Sequence, residues 1–380
     1  MLFKNICAVR SDRITPCDMR VEHGKIAAFG RNLAPYESEE VMDGGGAYAF
    51  AGLIDSHTHG AMGSVYYNPN CDVDKILAFE ASEGVTMVAA TLESAPIDEE
   101  SSLARYLLPF FAQKRGRAKL GGIHFEGPFL NPAKKGAMNP DGMVVPNVPD
   151  FDRLYDAAEG YMKLITIAPD MPGALDVIQH AASLGVSVSA GHTMASAEQM
   201  KAAVDAGVTR MTHTFNACRG FDHREPGILG TALTDEHVTC EVICDFAHLH
   251  PLTVELIYRA KGAERFTAIS DSEFAAGLAE GKLVGEDGRE RFIDGGVARL
   301  SDGTICGSAS SLARGFRNLC SLGIPLWEVS RMCSANPAKA LGVFDQTGSL
   351  DVGKCADFFL ADKNFDVKTV FVDGEEVKKA

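Results

Sequence analysis

The chain has 380 residues, with 36 basic and 51 acidic side chains and a formal net charge of −15. Apolar residues make up 46% and charged residues 23%, which excludes a mainly disordered chain and allows a large buried core. The acidic balance also excludes sequence-independent nucleic-acid binding, which needs clustered Lys and Arg, and no apolar run nears the roughly 20 residues of a membrane helix. The opening MLFKNICAVRSDR lacks the apolar core of a signal peptide, so no secretion signal is expected. Ten cysteines are scattered without CxxC pairs, mostly in apolar stretches. That pattern rules out zinc knuckles and predicts reduced core thiols in a cytoplasmic protein.

In chain order, residues 1–50 show short alternating stretches, Asp18–Glu22 and Lys25–Phe29, broken by Gly24, Gly30, Gly44, Gly45 and Gly46. Eight short apolar runs follow, at Leu53–Ser56, Val85–Thr91, Leu120–His124, Lys163–Ala168, Val186–Ala190, Val208–Thr212, Val238–Cys244 and Phe266–Ile269. Helical patterns separate them, at Asp72–Ser82, Glu99–Lys114, Asp150–Glu159, Gly173–Ser183, Ser196–Asp205, Gly227–Leu233 and Pro251–Ala260. Two more, Ser311–Leu322 and Leu326–Leu341, follow the last run. This alternation predicts an α/β fold, a (β/α)8 TIM barrel over residues 51–345. A doubly wound open sheet is the competitor, but no glycine-rich dinucleotide fingerprint opens any of the helices. Residues 346–380 return to short strands, Cys355–Leu360 and Thr369–Val372, with an Asp373–Gly374 hairpin turn. Neither end can bury a core alone, so residues 1–50 and 346–380 together are expected to form a small β-sandwich domain.

The strongest local feature is Asp55-Ser56-His57-Thr58-His59-Gly60, directly after the apolar run Tyr48–Ile54. On an extended strand end, residues i and i+2 share a side, so His57 and His59 can face one divalent metal. His-x-His alone is a weak signal in a chain with eleven histidines. Glu126 follows the third run, however, His192 the fifth, His213 the sixth and Asp271 the eighth, and a barrel brings all of these to one face. A lone His or Asp at a strand end is ordinarily a cap or a satisfied polar core residue. Five residues of metal-ligand type plus an Asp, all after strands, are not explained by capping.

Eight segments carry a resemblance: GLIDSHTHG (52–60), HFEGPFLNPAKKGAMNP (124–140), AGHT (190–193), THTFNA (212–217), REPG (224–227), ISDS (269–272), CGSASSL (306–312) and NPAKALG (336–342). They resemble the N-acetylglucosamine-6-phosphate deacetylase family of the amidohydrolase superfamily, in order and through nearly the whole chain. HFEGPF is particular to this branch, since many relatives use a carboxylated lysine where this chain has Glu126. The resemblance implies a metal-dependent hydrolase that removes the acetyl group from N-acetylglucosamine 6-phosphate. It makes Glu126, His192 and His213 ligands of a primary metal, and matches His57 and His59 to a pair that binds a second metal in some members. One or two divalent cations per subunit are therefore expected, zinc first, with iron, manganese or cobalt also suited to His and carboxylate donors.

Asp271 matches the family's catalytic Asp, which accepts a proton from water and passes it to the departing amine; the bland alternative is an Asp that orients a ligand. Arg224 matches an arginine that pairs with phosphate from the neighbouring subunit, implying a homodimer, against the alternative of a solvated Arg beside Glu225. Asn216 and Ala217 match positions at the sugar and His248 one near the phosphate, with Ala137 and the Ile305–Cys306–Gly307 backbone as weaker matches. His180, His223, His237 and His250 have no such match. One departure stands out: Met138 occupies a segment where single-metal members often place a histidine, and a thioether donates no hydrogen bond. A second metal at His57 and His59 would supply the missing electrophile. The alternative functions are deacetylation of another N-acetylhexosamine phosphate (the galactosamine epimer is nearest), hydrolysis of another N-acyl amide, and a catalytically silent metal-binding barrel. No nucleic-acid or membrane partner is expected.

Overall fold

A computed structural model describes residues 1–112, 116–285, 288 and 290–377. The eight apolar runs form one parallel sheet: β1 (Leu53–Thr58), β2 (Val85–Glu93), β3 (Lys119–Glu126), β4 (Met162–Ile167), β5 (Ser187–Ala190), β6 (Val208–Met211), β7 (Thr239–Ile243) and β8 (Phe266–Ile269). Each strand pairs with the next in sequence. The ring closes where the Asp271 N–H donates to the His57 carbonyl at 3.0 Å and Thr58 bridges Ser272. Strand residues are buried on both faces, because helices cover the outside and side chains fill the interior. Leu53, Val88, Phe125, Ile165, Val188 and Val242 belong to the one large core that results.

The crossover helices start where a polar cap meets an apolar stripe. Asp72 accepts from the Lys75 N–H at 3.1 Å, and Ser196 with Gln199 forms a capping box. The expected helix Glu99–Lys114 runs instead from Ile97 to Leu107 and tightens into a 3-10 turn over Leu108–Phe111. Pro109 lacks the N–H that would continue the α ladder; Lys114 lies outside the described residues. The helical stretch from Leu326 to Ala340 holds together through a π-helical turn at Arg331–Ala335.

Strands from both ends of the chain build a second sheet, joined where Phe358–Ala361 runs antiparallel to Tyr48–Ala51. Phe3, Phe358 and Phe371 pack at its centre, with ring centroids 4.6 to 5.0 Å apart. Asp373 and Gly374 form the expected two-residue turn, with φ of 50° and 77°. Lys119, the first residue of β3, ties the two sheets together: its Nζ lies 2.7 Å from Asp357 and 2.8 Å from Asp373.

The sequence pattern predicts no strand between Asp271 and Ser311. That stretch holds a four-stranded antiparallel ribbon, Gly281–Val284, Glu290–Asp294, Val297–Leu300 and Ile305–Ser308, bridged to the barrel where Ser272 meets Ser308. Its strands are four or five residues long and broken by charged side chains such as Lys282, Arg291 and Arg299, so they lack the continuous apolar run that marks a barrel strand.

Glu80, on the inner face of the helix Val73–Ser82, is fully buried, and neither carboxylate oxygen has a hydrogen-bond partner among the described residues. Burial, reinforced by Asp55 and Glu83, pushes its carboxyl well above the usual range, so it folds as the neutral acid. A raised folded-state pKa stabilises fully below the unfolded value and loses that contribution as pH rises. Glu80→Gln should therefore raise Tm at pH about 8 more than at pH about 4.5. Equal Tm shifts in thermal melts at the two values would contradict this.

Candidate metal centre and active site

The C-terminal ends of the strands open into a cleft. Glu126 ends β3, and strand alternation turns His57 and Glu126 into the same interior. The two carboxylate oxygens of Glu126 face different groups. Oε1 lies 3.1 Å from His192 Nε2 and 2.9 Å from His213 Nε2. Oε2 lies 3.4 Å from His57 Nε2 and 3.0 Å from His59 Nε2. Asp271 Oδ1 completes the second group, 3.3 Å from His57 Nε2 and 3.4 Å from His59 Nε2. Glu126, His192 and His213 thus form one set of donors able to hold a cation, and His57, His59 and Asp271 a second.

The donor chemistry fits metal ions. His192 and His213 bring their Nε2 atoms within 3.0 Å of each other. Nδ1 of His192 donates to the Lys134 carbonyl at 2.8 Å, which leaves its Nε2 lone pair facing the cluster. His57 Nε2 is buried without a hydrogen-bond partner among the described residues. Nitrogen and carboxylate donors converge here, and in the metal-free chain protons on the imidazoles offset the carboxylates, a role a divalent cation can take.

The metal-free electrostatics agree. Burial disfavours a charged His57, but Glu126 and Asp271 outweigh it and push the ring up to about 10. Burial likewise disfavours a charged Asp271, but His57 and the contact with His59 hold its carboxyl below the usual range. Asp271 is therefore a carboxylate at neutral pH, and its side chain keeps 15% exposure toward the cleft. Several residues here have left-handed backbone: His192 at φ 46°, His213 at 25°, Ala217 at 43° and Asp271 at 51°. Each costs on the order of 1–3 kcal/mol and persists only where the surrounding structure enforces it.

The cleft is also lined by Ala137, Met138, Asn216, Ala217, His248, Ile305, Cys306 and Gly307, so the expected substrate residues share it with the donor clusters. His248 Nδ1 donates to Asp245 at 2.7 Å, leaving Nε2 for a ligand. Gly307, at φ 98°, can only be glycine: a Cβ there would lie 2.4 Å from Glu273 Cγ. Arg224 is the exception; it is exposed and does not line the cleft of its own chain. His180, His223, His237 and His250 lie away from it.

Five lining residues are not marked by the sequence pattern: Tyr67, Glu93, Gly136, Glu273 and Arg291. His59, Glu93 and Glu273 form a further acidic group, but Glu273 already accepts from the Tyr67 hydroxyl and the Phe274 N–H. Behind His57, Arg210 and Glu241 pair inside the barrel. A charge inside an apolar strand run, as in Val208-Thr209-Arg210-Met211, was the available signal for that pair.

The amidohydrolase family model matches residues 48–377. An N-acetylglucosamine-6-phosphate deacetylase of Bacillus subtilis is 32% identical over 97% of this chain and 94% of its own length. An N-acetylgalactosamine-6-phosphate deacetylase of Escherichia coli O157:H7 is 33% identical over 85% of each. Among solved structures, a mutant N-acetyl-D-glucosamine-6-phosphate deacetylase of Mycobacterium smegmatis, in complex with N-acetyl-D-glucosamine-6-phosphate, superposes with a TM-score of 0.91 at 30% identity over 99% of both chains.

Cation and protons compete for the same nitrogens, and His57 carries its proton up to about 10 in the metal-free chain. Zinc affinity, measured by competition with a chelating dye, should therefore rise as pH goes from about 6 to 9. A pH-independent affinity would count against the cluster as the binding site.

Proposed function

This chain belongs to the amidohydrolase family, and we propose that it hydrolyses the acetyl amide of N-acetylglucosamine 6-phosphate to glucosamine 6-phosphate and acetate. The observation that carries this reading is the position of Glu126, one oxygen in each of two donor clusters, with the carboxylate of Asp271 beside them at the cleft. Deacetylases of phosphorylated amino sugars match nearly the whole chain and support the substrate class. The enzyme is metal-dependent. Glu126, His192 and His213 hold one divalent cation and His57, His59 and Asp271 a second, with zinc the proposed ion. When bound, such an ion polarises the acyl oxygen and lowers the pKa of water.

Asp271 takes a proton from the attacking water as its oxygen bonds to the acyl carbon. It then delivers that proton to the sugar nitrogen as the C–N bond breaks, leaving acetate and the free amine. As a carboxylate, Asp271 has the lone pair needed to accept that proton. Asn216, Ala217 and the backbone at Ala137 and Ile305–Gly307 orient the sugar. His248 Nε2 meets the phosphate, joined by Arg224 from the second subunit of a homodimer, an assignment supported by the exposure of Arg224 outside its own cleft. Met138 is buried at the cleft and offers no donor, which favours two cations over one.

Two structural readings belong to the same proposal. Residues 1–50 with 346–380 make the small β-domain and 51–345 the hydrolase barrel. The ten free cysteines suit a cytoplasmic setting, and no helix among the described residues is long and apolar enough to cross a membrane.

Acetate release should be measured on N-acetylglucosamine 6-phosphate, its galactosamine epimer and both unphosphorylated sugars. Asp271→Asn should lower kcat by roughly 10²–10⁴ while keeping the cation at Glu126, His192 and His213. Arg224→Ala should raise KM for the phosphorylated sugars only. Faster turnover of the galactosamine epimer would favour the second reading, to which the E. coli relative points. No release from any of the four would leave a silent metal-binding barrel. His57→Ala combined with His59→Ala should slow the reaction; an unchanged rate would remove the second cation from the mechanism.

A further inference from the structure

We propose that Glu241, held in place by Arg210, is a positioning residue that fixes which nitrogen of His57 carries the proton, and so prepares the second cation position. The inference rests on the reading above that His57 and His59 hold a cation. Glu241 lies in β7 and Arg210 in β6, both inside the barrel, with exposures of 0% and 4%. Neither lines the cleft.

Arg210 donates to Glu241 Oε1 twice, from Nε at 3.2 Å and from Nη2 at 2.9 Å. The other oxygen, Oε2, lies 3.2 Å from His57 Nδ1. An ionised carboxylate only accepts, so when His57 is the neutral ring a cation requires, its proton sits on Nδ1 and its Nε2 lone pair faces Glu126 and Asp271. The two hydrogen bonds from the Arg210 guanidinium pair Glu241 as a carboxylate, so the group behind His57 is an acceptor. The ring cannot turn away. His124 packs edge-on against it, centroids 4.6 Å apart at 84°, and is itself held by Thr91 and Thr166.

A buried Arg–Glu pair adds little stability over apolar residues of the same shape. Its presence directly behind a metal-binding histidine is explained by what it does to that histidine. The primary site uses a different device for the same end, the Lys134 carbonyl behind His192.

An isosteric change separates the two atoms of the carboxylate. In Glu241→Gln, both Arg210 donors need the amide oxygen, so the amide NH2 turns to His57 Nδ1. The ring must then accept there and carry its proton on Nε2, where the cation would bind. We expect the second zinc to bind roughly 10–100-fold more weakly, with the first unchanged. Zinc per subunit would be measured by equilibrium dialysis and elemental analysis across free-zinc concentrations. The exchange-coupled EPR signal of the manganese-loaded enzyme gives an independent count of paired ions.

Adding Arg210→Met to Glu241→Gln frees the carboxamide to turn its oxygen back to His57, so this double variant should regain the second ion. Because it buries no unpaired charge, it also guards against misfolding of the single variant. Arg210→Met with Glu241→Leu, equally neutral but without an acceptor, should lose the second ion. Equal binding by the two doubles would overturn the inference, as would wild-type affinity for both ions in Glu241→Gln. Equal weakening of both ions would also overturn it, because that is what a loosened barrel does. A wild-type enzyme that takes one ion at saturating zinc would instead sink the two-cation reading, before any variant is compared.

Discussion

A single buried carboxylate organises this molecule. Glu126 is 2% exposed and has two imidazole nitrogens within 3.4 Å of each of its oxygens. Unpaired charge at such a depth is strongly unfavourable, so a buried acid must be matched by cations or donors. Here the match comes from His57 and His59 at the end of β1, His192 after β5 and His213 after β6. Only a closed ring of strands brings those positions within a few ångströms of one another, and the barrel can be understood as the device that does so.

The closure has a backbone cost that the scaffold absorbs. His192, His213 and Asp271 all sit at positive φ, and all follow directly on strands buried on both faces. The strand ladders and the packed core hold these residues where their side chains converge. The terminal sheet extends the same scaffold: Lys119 pairs with Asp357 and Asp373 at the start of β3, the strand that ends in Glu126.

The donors and the substrate wall are built differently. Donors come from strand ends, where the backbone is fixed by its neighbours. The wall comes from the turns after β6 and β7 and from the ribbon that carries Ile305–Gly307 and Arg291 across the cleft.

Much of this was legible in the sequence. The eight barrel strands read as apolar runs because both faces of each are buried, and the donors stood out because each follows such a run. The resemblance carried by HFEGPF, AGHT and THTFNA then gave the residues roles that spacing could not. The ribbon stayed hidden because its strands are short and broken by charged side chains, and the helix ending at Leu107 because Pro109 acts on the backbone rather than on hydrophobic periodicity. Glu93 and Glu273 read as ordinary acids beside strands, and Arg210 with Glu241 as stray charges. Local sequence determines which residues are apolar, where strands end and which side chains can bind a metal. Which oxygen of Glu126 meets which histidine, and which charge stands behind His57, depends on contacts between strands far apart in the chain, and those distances exist only once the ring has closed.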